Sequence, residues 1–254
     1  MFKEISLKKL SFGKILSMGW KIYKSQFVTI VAIILISSLP TILAQFNIGK
    51  MSKGTFSPGY FLLAIIGILT SILGALALCY VVDATVNETE ISFREAFNKA
   101  LPIWGSSIWT SILCALIIIG LCFLLIIPGI IWSVYYIFAI YVVALKGLTG
   151  KAALNYSKGL VVGRWWEVFF VNLGIGLLTG IIGFVIVFVP NLFTVGAPGQ
   201  GPNSFMLAIT TAIYSIIYAF YYVAAIVYFL NLDNQKNIRT NNQVIVEAQP
   251  PVAD

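Results

Sequence analysis

Six runs of mainly apolar residues, at roughly 27–46, 60–84, 103–127, 129–146, 166–190 and 204–231, constrain this chain more than anything else in it. A helix needs about 20 such residues to cross the hydrocarbon core of a bilayer. Lipid offers the backbone no hydrogen-bonding partner, so a crossing segment must satisfy its own N–H and C=O groups, as a helix does. The expected fold is therefore an all-α integral membrane protein with six transmembrane helices. Composition agrees: 59% of residues are hydrophobic and 10% charged, against about 25% charged in soluble domains. The membrane domain is expected over residues 1–232, followed by a polar tail, 233–254, that reads as disordered.

Lysine and arginine orient the bundle. With the N-terminus inside, the cytoplasmic side holds six of them in residues 1–26, two in 87–102, four in 146–165 and two in the tail. The opposite side holds only Lys50 and Lys53. Under the positive-inside rule both termini are expected in the cytoplasm. The formal charge of +7 then faces anionic lipid rather than nucleic acid, for which no separate basic domain exists. The first sixteen residues, MFKEISLKKLSFGKIL, alternate charge with apolar residues and do not read as a cleavable signal. Turn-rich loops are expected at 47–59 and 191–203, and a tight turn at Pro128-Gly129.

The stretches before the odd-numbered spans share a pattern. Ser92 and Glu95 form an S-x-x-E capping box. Phe93, Ala96, Phe97, Ala100, Leu101 and Trp104 then mark one helical face, with Arg94 and Lys99 opposite. Phe12, Ile15, Leu16, Gly19, Trp20 and Tyr23 repeat the spacing, with Lys14, Lys21 and Lys24 opposite. A third version has Thr149 as cap, then Ala153, Leu154, Ser157 and Val161, and reaches Arg164-Trp165-Trp166. Each is followed by a span closing near a proline (Pro40, Pro128, Pro190) and by a second span. The expectation is three parallel repeats of amphipathic helix plus transmembrane hairpin, with amphipathic helices at about 11–25, 91–101 and 150–161 lying on the cytoplasmic leaflet.

Chemistry-bearing residues are sparse. Histidine is absent, which removes the commonest general base and metal ligand. Cys79, Cys114 and Cys122 sit in apolar runs and read as packing residues. Neither a metalloprotease HExxH nor a Walker A motif is present, and no cofactor is expected. Asp83 and Glu167 are the acids nearest the bilayer. Either suits a proton or cation path, but pairing is expected instead, Glu167 with Arg164 at i, i+3 spacing. Asn172 is expected to hydrogen-bond between helices, and Gly176, Gly180 and Gly183 to mark a close helix contact. Lys14, Trp20, Lys21, Lys24, Arg94, Trp104, Lys158, Arg164, Trp165 and Trp166 are the candidate contacts to lipid headgroups, as anchors or as phosphate ligands.

Residues 128–172 carry Pro128-Gly129, Ala153-Leu154, Ser157 and the Gly163–Trp166 run. With FGKILSMGWKIYKSQF near the start and YFLNLDNQK at 228–236, they resemble a prokaryotic membrane-domain family, best known fused to some glycerophosphodiester phosphodiesterases. The resemblance covers residues 11–236 and departs at Tyr156, where the family often has a basic residue. It implies a stand-alone six-helix membrane protein without the family's catalytic domain. The lack of a catalytic constellation and the amphipathic helices favour a non-enzymatic scaffold or accessory subunit in envelope or lipid-related processes, working with anionic lipids and a membrane-protein partner; a small-solute or lipid transporter is the alternative.

Overall fold

The computed structural model describes residues 9–51, 57–194 and 204–247, with side chains throughout except at 47–51, 187–194 and 239–247. Of the two expected loops, 52–56 (Lys53 included) and 195–203 lie outside the described residues, while 47–51 and 191–194 are the last turns of helices. Nearly all of the described residues are helical, and no strand occurs among them. In order, the elements are α1 (Phe12–Ser25), α2 (Phe27–Met51), α3 (Pro58–Val86), α4 (Phe93–Leu124), α5 (Ile126–Tyr135), α6 (Ala139–Lys146), α7 (Gly150–Val161), α8 (Trp165–Thr194) and α9 (Ser204–Glu247). Six stretches are long and apolar enough to cross a membrane: Phe27–Phe46, Pro58–Val86, Phe93–Leu124, Ile126–Lys146, Trp165–Ile186 and Ser204–Ile238.

Several boundaries differ from the sequence reading, each for a local reason. The 91–101 segment is not a helix of its own. Its capping box forms, with the Glu95 N–H donating to Ser92 Oγ at 3.3 Å and the Ser92 N–H to Glu95 Oε2 at 2.9 Å, but α4 then runs unbroken through Pro102. Pro40 likewise lies inside α2 rather than at its close. The α4–α5 turn falls at Leu125, which is extended (φ −158°, ψ 132°). Pro128 sits in the first turn of α5, where a missing N–H leaves no bond unmade. A Cβ at Gly129 would collide with Cys122 across this turn.

The fourth span breaks at Tyr136–Phe138 into α5 and α6. The polar stretch after Asp233 is not a disordered tail as far as Glu247, because α9 continues through it.

The core is concentrated at one end. Most of residues 74–82 of α3, 138–144 of α6 and 219–233 of α9 is buried, and the short helices lie around them. Lys9, Lys146, Arg164 and Asp233 sit at this same end, hereafter the basic end. Helix α1 packs mainly on α9, and α7 on α4, α5 and α6. Toward the other end large apolar side chains face outward, and at the α4–α5 turn Phe123 is 93% exposed. In water such a surface would aggregate; in lipid it is the ordinary exterior of a span.

Candidate functional site

At the basic end α9 is the hub. Asp233, 4% exposed, accepts from Lys146 Nζ at 2.6 Å, from the Tyr156 hydroxyl at 2.6 Å and from Asn237 Nδ2 at 3.3 Å. These partners come from α6, α7 and α9, so one carboxylate ties three elements. Burial pushes the Tyr156 phenol above its ordinary range, and its bond to Asp233 and that residue's charge push the same way. The Lys236 ammonium sits 3.8 Å from the centre of the Tyr156 ring, a cation–π contact on the same group.

A second chain of bonds straddles Asp233 along α9. Arg164 Nη1 donates to Gln235 Oε1 at 3.0 Å, and Gln235 Nε2 donates to Asn231 Oδ1 at 2.9 Å. Asn231 Oδ1 also accepts the Leu10 N–H at 3.2 Å, which seats the chain just before α1. Lys9 Nζ lies 2.7 Å from Glu167 Oε2, so Glu167 pairs with Lys9 while Arg164 turns to α9. The expected Arg164–Glu167 pair is thereby replaced by two longer-range ties. The Tyr228 hydroxyl, within the fields of Glu167 and Arg164, is buried without a partner of good geometry.

Three crossings set the short elements on the long ones. A Cβ at Gly19 would come within 3.2 Å of Ala224, so α1 lies against α9 almost backbone to backbone there. The Tyr23 hydroxyl donates to the Ile216 carbonyl at 3.0 Å. From Asn231 to Ile216, α1 thus follows α9 antiparallel over about 22 Å at 1.5 Å per residue.

Ser157 on α7 fills the break between α5 and α6. Its Oγ accepts the Phe138 N–H at 3.2 Å and donates to the Tyr135 carbonyl at 2.8 Å. It supplies groups that a continuous helix would have paired internally. Along α3 lie the first turns of α4, where Trp104 Nε1 donates to the Leu69 carbonyl at 2.9 Å and Lys99 acts electrostatically on Asp83.

The remaining predicted residues separate into ties and exposed positions. Trp165 Nε1 donates to the Ile131 carbonyl at 3.1 Å, and Trp166 is exposed beside it. Lys158 lies over the Trp132 ring at 4.4 Å. Lys14 and Arg94 are exposed, as are Trp20, Lys21 and Lys24, and Lys24 sits 5.5 Å from the centre of the Trp20 ring. Asp83 is half-buried near the end of α3, and Lys146 and Lys99 are the cations that act on it.

Asn172 does not bond between helices. Its Nδ2 donates to the Val168 carbonyl of its own helix at 2.9 Å, and its Oδ1 is buried without a partner. Of the glycines on α8, Gly183 makes the closest approach, to the Tyr214 ring, while a Cβ at Gly180 would meet nothing.

A cavity of about 260 Å³ opens between α2, α3 and α9, near the middle of the spans. Hydroxyls dominate its polar lining. Ser37, Ser38, Ser71, Thr211 and Ser215 each donate to a carbonyl of their own helix. They therefore face the cavity as acceptors. Tyr214, Tyr218 and Tyr222 complete the wall, and no charged residue lines it.

Sequence reasoning gave no contact role to Asp233, Lys146, Tyr156 or Asn231. One signal was legible: Lys146 closes the fourth span, and Asp233 closes the sixth at the same end. Together the fold and this polar end define a multi-pass helical membrane protein. No known family, characterised protein or solved structure matches the chain.

Proposed function

We propose that this chain is a non-enzymatic protein of a prokaryotic cytoplasmic membrane, with both termini in the cytoplasm. On this reading its basic end forms a rigid platform at the inner leaflet, for an accessory or scaffolding role in envelope or lipid-related processes. It would be a relative of the membrane domains fused to some glycerophosphodiester phosphodiesterases. A threefold repeat is the plan behind the platform.

The carrying observation is the recurrence of one packing device. Ser11, Ser92 and Thr149 are helix N-caps, and eight residues after each comes a small buried residue, Gly19, Ala100 and Ser157. Four residues after each comes a fully buried one, Ile15, Ala96 and Ala153. The element bearing each set lies on the second helix of another hairpin: α1 on α9, the start of α4 on α3, and α7 on α5 and α6. Each unit leaning on the one before it closes a ring, and a ring of mutual supports suits a platform better than a conduit that must open. The lipid-facing role then falls to Lys14, Lys24 and Arg94 on the outer faces, with Trp166 as an anchor.

Single cysteines test the topology. Ser52→Cys and Gly199→Cys should react with an impermeant maleimide added outside intact cells, and Glu90→Cys and Lys151→Cys only after lysis. The reverse pattern overturns the orientation and with it the platform.

A second reading, a small-solute transporter, is favoured by the hydroxyl-lined cavity, since transporters bind substrate near the midplane. Solute uptake by proteoliposomes that Ser37→Leu abolishes would establish it over the first.

A further inference from the structure

A groove of about 570 Å³ runs beneath α1 where it crosses α8 and α9. Its walls are Leu16 and Trp20 of α1, Leu178 and Ile182 of α8, and Ile217 and Phe220 of α9. The volume falls in the range of about 300–1,000 Å³ usual for ligand sites. Apart from Ser17 and the Trp20 indole N–H at its α1 edge, the lining offers almost nothing to water: the Thr179 hydroxyl is spent on the Ile175 and Gly176 carbonyls of its own helix. A groove of this kind among membrane spans is filled by hydrocarbon, because water there would forgo its hydrogen bonds.

The rim at α1 is different. Helix α1 carries Lys14, Lys21 and Lys24 and no acid. Lys21 faces a neighbouring cleft shared with Glu88 and Glu90, which makes it a poor anion ligand. Lys24 stands over Trp20, a wall residue of the groove. Among the described residues neither the Trp20 indole N–H nor the Ser17 hydroxyl, also in the lining, has a hydrogen-bond partner. One cation and two free donors thus border an apolar slot.

We infer that this groove holds one acyl chain of an anionic phospholipid, with its phosphate at Lys24 and its ester region within reach of Ser17 and Trp20. The inference rests on the reading of α1 as a lipid-facing element. It makes α1 a clamp whose underside grips a tail while its outer edge selects the head.

The full-length chain, reconstituted in phosphatidylcholine vesicles, tests this. The probe is a trace phospholipid with a photoreactive group near the end of one acyl chain and either a phosphatidylglycerol or a phosphatidylcholine head. After illumination, labelled peptides are quantified by mass spectrometry. The expected result is labelling concentrated in Leu178–Ile182 and Ile216–Phe220, with phosphatidylglycerol favoured about fivefold, the ratio one nearby cation sustains.

Lys24→Gln should bring the two heads to parity while labelling of the groove persists. Ile182→Trp, a change at a half-exposed position, should fill the slot and abolish labelling there by both probes. The inference is overturned by equal labelling from both heads in the unaltered chain, by an undiminished preference in Lys24→Gln, or by groove labelling no stronger than that of the open face of α4 around Leu116. Both leaflets of the vesicle carry the probe, so an inverted topology would leave these results unchanged. That failure would appear only in the cysteine labelling.

Discussion

Residues 219–233 of α9, with three tyrosines, Asn231 and Asp233, are less apolar than residues 61–68 of α3, yet they are the ones covered by protein. Nearly every side chain from Val223 to Asp233 is buried against α1, α3, α6, α7 or α8, whereas Phe61, Leu62, Ile65, Ile66 and Ile68 all face outward. The contrast divides the molecule into a basic end packed like a soluble protein and a distal end whose helices are dressed by lipid.

Solvent explains the difference. Where headgroups and water reach the chain, apolar surface must be covered by other protein, and polar groups that are covered must be paired. Deeper in the bilayer a leucine is as well solvated by lipid tails as by another leucine, so burial there brings no hydrophobic gain. The polar ties accordingly crowd the basic end.

The sharpest way to break this contrast is to remove its central charge. Asp233→Ala strands the Lys146 ammonium and the Tyr156 hydroxyl, and breaking a buried pair from one side costs about 3–5 kcal/mol. Thermal unfolding in mild detergent should show a larger loss than either Ser157→Ala or Leu116→Ala produces. Restoring most of the stability with Asp233→Asn would show that hydrogen bonding, not charge, holds the three elements.

Ser157→Ala comes next. It unpairs the Phe138 N–H and the Tyr135 carbonyl at the break in the fourth span, for about 1–3 kcal/mol. The same unfolding measurement reads it, and faster amide exchange at Phe138 should accompany the loss. An unchanged unfolding temperature would mean that the break holds itself.

Tyr156 sharpens the comparison through pH. Its folded pKa is raised, so its stabilisation is fully present below the unfolded tyrosine value of about 10. That stabilisation fades only as pH rises beyond 10 through the folded value. Ultraviolet titration of the native chain against Tyr156→Phe should reveal one phenol that resists ionisation at pH 10. A difference spectrum already developed at that pH would place Tyr156 outside the network.

The smallest effect is expected at the distal end. Leu116 is 63% exposed, and Leu116→Ala exchanges contact with lipid rather than with protein, so its unfolding temperature should move by no more than about 0.5 kcal/mol allows. A loss of the size usual for a core leucine, about 2–5 kcal/mol, would reveal a protein partner covering this face.

Sequence alone determined the helices that are long and apolar enough to span a membrane. Hydrophobic length is a local property, and lipid leaves the backbone no alternative to the helix. It also marked Ser11, Ser92 and Thr149 as the residues before three helices, because a helix start is chosen by residues within one turn of it; of the three, Ser92 makes the capping bond. The break at Tyr136–Phe138 was hidden, since VYYIFAIYVV contains neither Gly nor Pro and nothing local interrupts it. The group that completes the break, Ser157, arrives from a helix two elements away.

Asp233 was hidden for the same reason. NLDNQKNIR has the composition of a tail, and only the approach of α6 and α7 gives its carboxylate a cation and a hydroxyl to hold. Gly19, Ala100 and Ser157 stood in the sequence as small residues at like positions. Tertiary structure decided that Gly19 meets Ala224 and Ser157 the break in the fourth span. Which hairpin supports which short helix depends on the three-dimensional fit of side chains far apart in the chain, and no local pattern encodes that.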